Sequence, residues 1–63
     1  MDSWIEKTVG KMHINKITQV ELSQKIGWTR EYVSMILNGI KSPANAEERI
    51  NKAIDDIIAE RKS

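Results

Sequence analysis

A chain of 63 residues has room for one small hydrophobic core and only a narrow margin of stability, so dense helix packing or self-association is expected. It has no cysteine, which excludes disulfides and thiolate metal sites as substitutes for that core. The formal net charge of +1 hides an uneven distribution: within residues 7–41, Lys7, Lys11, Lys16, Lys25, Arg30 and Lys41 stand against Glu21 and Glu31, for +4, while both flanks are net acidic. This suits one basic face on an otherwise neutral protein, although on charge alone a solvated surface accounts for it equally well.

The first residues carry Asp2 and Glu6 and no apolar run, so they read as neither a secretory signal nor a membrane span, and a cytoplasmic location is expected. Ser3 and Glu6 have capping-box spacing, and Ile5, Val9 and Met12 follow as an apolar stripe, which predicts a first helix over 4–13 with Trp4 closing its apolar face. Gly10 costs such a helix about 1 kcal/mol relative to alanine, and a surface position explains it better than a close helix crossing. His13 has no second histidine, cysteine or carboxylate at ligand spacing, so no metal site is assigned to it.

Thr18 and Glu21 repeat the capping spacing ahead of a second helix, 19–26, that Gly27 ends by taking positive φ. Thr29 then opens a third helix, 30–38. Leu22, Ile26, Trp28, Val33 and Ile36 fall at inward positions, and Ser23 is small where the helices cross, as two helices joined by a short turn require. The third helix turns Arg30, Glu31, Ser34, Met35 and Asn38 outward by its 3.6-residue period. Those side chains suit base edges: arginine pairs with guanine O6 and N7, glutamate accepts from cytosine N4, and methionine touches a thymine methyl. Each also has a plainer account, since Glu31 in a first turn is favoured by the helix dipole alone. Tyr32 can pack its ring on the motif edge while its hydroxyl reaches a phosphate.

Asn38 and Gly39 end the third helix, with Ile40 folding back in a Schellman-like contact. Lys41 and Ser42 follow in an exposed loop closed by Pro43, placed for backbone phosphates or simply solvated. Asn45 and Glu48 give a third capping pair. Ile50, Ala53, Ile54, Ile57 and Ile58 then define a long final helix, about 46–60, and Arg61, Lys62 and Ser63 read as a frayed tail. Asp55 and Asp56 read as a solvated face.

The stretch ITQVELSQKIGWTREYVSMILNG resembles the helix-turn-helix family of lambda-type repressors, Cro-like proteins and xenobiotic-response-element regulators, well over residues 17–43 and loosely elsewhere. The resemblance implies an all-α fold, a compact four- to five-helix domain spanning 1–63 with its motif at 18–39. It implies a double-stranded DNA operator of pseudo-palindromic sequence, read by Thr29, Arg30, Glu31, Ser34 and Met35 in the major groove. Phosphate contacts would come from Lys16, Gln19, Tyr32, Asn38, Lys41 and Ser42, and a homodimer contact from Ile54 and Ile58 on the last helix. No cofactor, metal or membrane is implied. The chain departs from the family in three places. The first-helix stripe is displaced by one residue relative to Ile17, Leu37 replaces a common glutamate and is expected to meet Met12, and the last region is not split into two helices.

The function expected is therefore that of a sequence-specific transcriptional regulator, a bacterial or phage repressor. An enzyme is disfavoured, because there is no nucleophile with a base, no pair of buried carboxylates and no phosphate-binding glycine loop. A protein-interaction module of the same fold, such as an antitoxin or adaptor, is the alternative.

Overall fold

The computed structural model describes residues 3–62, with the Ser3 side chain outside that description. The fold is all-helical: α1 (Ser3–Ile14), α2 (Gln19–Ile26), α3 (Arg30–Leu37) and α4 (Ala46–Lys62). α2 packs against both α3 and α4, and α1 packs on α4. The shared core contains Met12, Ile17, Leu22, Val33, Ile36, Leu37, Ala46, Ile50, Ala53, Ile54 and Ile57, with Trp4, Ile26, Trp28, Tyr32 and Ile58 packed around it. Met12 and Leu37 thus lie in the same apolar cluster, the environment that the substitution at Leu37 leads one to expect.

Each motif helix is started by a threonine. Thr18 Oγ1 accepts from the Glu21 N–H at 3.1 Å, and Thr29 Oγ1 accepts from the Tyr32 N–H at 3.1 Å. Both threonines have extended backbones, as N-caps do. The Thr18 box is one-sided, however, because the Glu21 carboxylate receives Arg61 instead of turning back to the Thr18 N–H. The Ser3–Glu6 box depends on a side chain outside the described residues. At the third capping pair, α4 begins through the backbone: Ala46 N–H donates to the Pro43 carbonyl, and Arg49 N–H to that of Asn45.

The turn after α2 needs Gly27, which sits at φ 90°, while Gly27 and Trp28 both donate to the Ser23 carbonyl at 2.8 and 3.0 Å. Ser23 is buried and its hydroxyl donates to the Val20 carbonyl at 2.7 Å, so it crosses the core with its polar group satisfied. α3 ends in a full Schellman arrangement: Gly39, at φ 78°, donates to Ile36, and Ile40 donates to Met35. Only the backbone folds back, since Ile40 remains 72% exposed.

α1 is rotated from its expected setting. Val9 is 44% exposed, and Thr8 is buried in its place between Ile5 and Met12. The cause lies in what α1 faces: the Thr8 hydroxyl meets the Asn51 Oδ1 of α4 at 3.5 Å, and Lys11 Nζ meets Asp55 Oδ1 at 2.8 Å. Gly10 is exposed, with open space where a Cβ would be.

α4 shows the largest difference from expectation. Arg61 and Lys62 are helical, and the guanidinium of Arg61 is bonded to Asn15, Lys16 and Glu21; Ser63 lies outside the described residues. Lys25 pairs with Glu60, and that hydrogen bond raises the lysine pKa above its ordinary 10.5 against a smaller opposing effect of desolvation, with the charges of Glu60 and Asp56 adding to the rise. Asp55 therefore belongs to the attachment of α4 through its pair with Lys11, while Asp56 stays on the solvated face and adds only its charge near Lys25. Ile54, expected at a dimer contact, is 0% exposed and offers no surface, because it falls at the centre of the α4 stripe facing the core; Ile58 is half-buried.

Candidate nucleic-acid interface

The outer face of α3 is built by the same period that buries Val33, Ile36 and Leu37. Arg30, Glu31, Ser34 and Met35 line one shallow open depression on that face. Arg30 and Glu31 are exposed, and Ser34 and Met35 are half-buried. Arg30 is exposed and enters no ion pair among the described residues, so its guanidinium is uncommitted. The depression thus combines a planar cation, a carboxylate acceptor, a hydroxyl and an apolar tip, a set able to discriminate donor and acceptor patterns. Thr29 adjoins it, with its oxygen committed to the α3 cap and its hydroxyl proton still available.

Asn38 lies one turn further on, but its amide Nδ2 is turned inward to the Ser34 carbonyl at 2.8 Å and the Ser34 Oγ at 3.2 Å. Those donors serve the end of α3, which leaves its amide oxygen as the outward group. Tyr32 is wedged between two partners. Its ring stands edge-on to Trp28, with centroids 5.0 Å apart at 87°, and Lys41 Nζ lies 5.9 Å from the ring centre. The loop that carries Lys41 and exposed Ser42 is thereby held against α3.

Lys16 and Gln19 form a second locality at the α1–α2 junction. Lys16 is exposed and takes φ 56°, a left-handed backbone that lysine adopts at a cost. Gln19 opens α2 and is half-buried, lining an indentation with Val9, His13 and Leu37. Of the six cations that make residues 7–41 basic, Lys11 and Lys25 are consumed by Asp55 and Glu60 on α4. Lys16, Arg30 and Lys41 are the ones left beside the motif, together with Lys7 on α1.

A helix-turn-helix family model matches residues 15–47, just over half of the chain. The chain belongs to the lambda repressor-like helix-turn-helix family. No curated protein and no solved structure matches it. The match spans both motif helices, their caps and the loop with Lys41 and Ser42, and it ends at the first turn of α4. This helix-turn-helix protein is accordingly a DNA-binding protein of the regulator type. No helix among the described residues is long and apolar enough to cross a membrane, and no cluster of three or more His, Cys, Asp or Glu suited to a metal occurs among them.

Proposed function

We propose that this helix-turn-helix protein is a transcriptional repressor of bacterial or phage origin that lays α3 in the major groove of a pseudo-palindromic operator. The observation that carries the reading is the outer face of α3, where Arg30, Glu31, Ser34 and Met35 share one depression and the arginine has no ion-pair partner among the described residues. Arg30 reads guanine, Glu31 accepts from cytosine, and Thr29, Ser34 and Met35 complete the contact with base edges. Lys16, Gln19, Tyr32, Lys41 and Ser42 hold the flanking phosphates and fix the register of the helix, whereas Asn38, expected among them, has its amide donors committed to Ser34 and offers a phosphate no proton. Residues 1–63 act as one unit, by binding and without catalysis or a cofactor, in the cytoplasm with the nucleoid.

The DNA-bound form is a homodimer. One domain of this size makes few phosphate contacts, and two-fold symmetry doubles them on half-sites about 34–36 Å apart. With Ile54 sealed in the core, the dimer contact falls to Ile58 and its exposed neighbours on α4. A second reading, an antitoxin or adaptor of the same fold, draws support from the apolar groove between α1 and α3, which Ile5, Val9, Gly10 and Leu37 line. Titration of a labelled mixed-sequence duplex at two salt concentrations separates the two, since phosphate-driven binding must weaken as salt rises. Absence of binding at low salt sinks the DNA reading.

A further inference from the structure

The last turn of α4 lies beyond the matched segment, yet it reaches back to the start of the motif. Arg61 Nη1 donates to the Asn15 carbonyl, and Nη2 lies 3.2 Å from the Lys16 carbonyl and 2.8 and 3.0 Å from the two Glu21 carboxylate oxygens. The two carbonyls belong to Asn15 and Lys16 in the turn just past α1, whose own cap is closed by Lys16 N–H on His13 and Ile17 N–H on Met12 around the left-handed Lys16. Carbonyls in the turn that follows a helix have no intrahelical donor, so a guanidinium that reaches them satisfies acceptors the helix leaves open. A planar fork that spans two carbonyls and a carboxylate differs from an isolated surface ion pair.

Glu21 stands in the first turn of α2, two residues from Gln19. If Lys16 and Gln19 meet a phosphate, an uncompensated Glu21 beside them repels it. The junction's fixed charges are Lys16 and Arg61 against Glu21, for a net +1 that falls to zero without the arginine.

We infer that Arg61 is a positioning residue for DNA binding: it holds the turn that presents Lys16 and cancels the Glu21 charge, so that the start of α2 accepts a phosphate. The inference rests on the proposed DNA contact of the α1–α2 junction. It is tested by fluorescence anisotropy of a labelled mixed-sequence duplex against the wild-type protein, Arg61→Ala, Glu21→Gln and the double variant, with circular dichroism to follow folding. At low salt Arg61→Ala should bind that duplex roughly tenfold more weakly. Adding Glu21→Gln to it should recover part of that affinity, the share owed to charge, while the share owed to the held turn stays lost. A purely structural clamp predicts no recovery, because the double variant lacks the same hydrogen bonds. Glu21→Gln alone should bind at least as tightly as wild type, and it decides the matter if Arg61→Ala does not fold. Binding by Arg61→Ala within twofold of wild type, weakening without recovery, or weakening by Glu21→Gln alone overturns the proposal. A wild-type protein that binds no duplex overturns the DNA reading together with it, whereas a binding wild type and an unaffected Arg61→Ala overturn this proposal alone.

Discussion

The ammonium of Lys41 lies 5.9 Å from the centre of the Tyr32 ring, so the loop after α3 is tied to the helix it leaves. A cation held in this way stands beside the recognition face and not within it. Replacing Lys41 with alanine is expected to weaken binding to all duplexes alike and to lower the slope of log affinity against log salt by about one for each phosphate no longer neutralised. Arg30→Ala should instead cost about 1–3 kcal/mol per half-site on the preferred sequence and little on scrambled DNA. Isotherms of both variants across a salt series check the pair. Equal weakening on both duplexes by Arg30→Ala, or altered base preference in Lys41→Ala, reverses the roles.

One substitution should have opposite signs at two glycines. A Cβ meets nothing within 4 Å at either Gly10 or Gly27, so sterics with neighbours drop out and the backbone decides. Gly10 is an interior position of α1, where alanine should stabilise by about 0.5–1 kcal/mol. Gly27 is held at φ 90°, where alanine should cost about 1–2 kcal/mol. Urea unfolding midpoints read both changes, and a destabilising Gly10→Ala would mean that α1 is packed more closely there than its exposure indicates.

Lys16→Gly should move stability and affinity in opposite directions. Glycine relieves the left-handed backbone, worth about 1 kcal/mol, while the ammonium proposed to meet a phosphate is removed. Thermal melts and low-salt binding isotherms of this variant together test the assignment. A more stable protein with unchanged affinity removes Lys16 from the interface.

Ile54 and Ile58 lie one helical turn apart on α4 and should respond differently to substitution. Ile54→Ala, at a fully buried position, is expected to cost about 2–5 kcal/mol, a large share of the stability of so small a protein. Ile58→Asp should leave more of the fold intact and reduce dimer formation on DNA, as sedimentation of the complex would record. A single wild-type protomer bound tightly at physiological salt is the result that removes the dimer.

What the sequence discloses here is mostly what is local. Gly27, the threonine caps and the burial of Leu22, Val33 and Ile36 each depend on neighbours within a few residues, and spacing alone identifies them. The grouping of Arg30, Glu31, Ser34 and Met35 follows from the helical period in the same way. The inward turn of the Asn38 amide does not, because a rotamer choice at a helix end leaves no periodic trace. The exchange of Val9 for Thr8 in α1 depends on Asn51 and Asp55 of a distant helix. Arg61 reads as tail in the sequence because charge composition says nothing about which acceptors lie within reach.

The polar links that fasten α4, from Thr8 to Asn51, Lys11 to Asp55, Lys25 to Glu60 and Arg61 to the α1–α2 junction, join residues 35–46 apart in sequence. Closing so large a loop costs chain entropy before any contact rewards it, whereas α2 and α3 meet across a turn of a few residues. The order of assembly that follows is a nucleus within the helix-turn-helix and late docking of α4. Weakening the Lys25–Glu60 or Arg61–Glu21 link should then quicken unfolding while leaving the refolding rate nearly unchanged, which stopped-flow chevrons of Lys25→Met and Glu21→Gln would reveal. The attachment of α4 would then set how long the protein stays folded rather than how fast it folds.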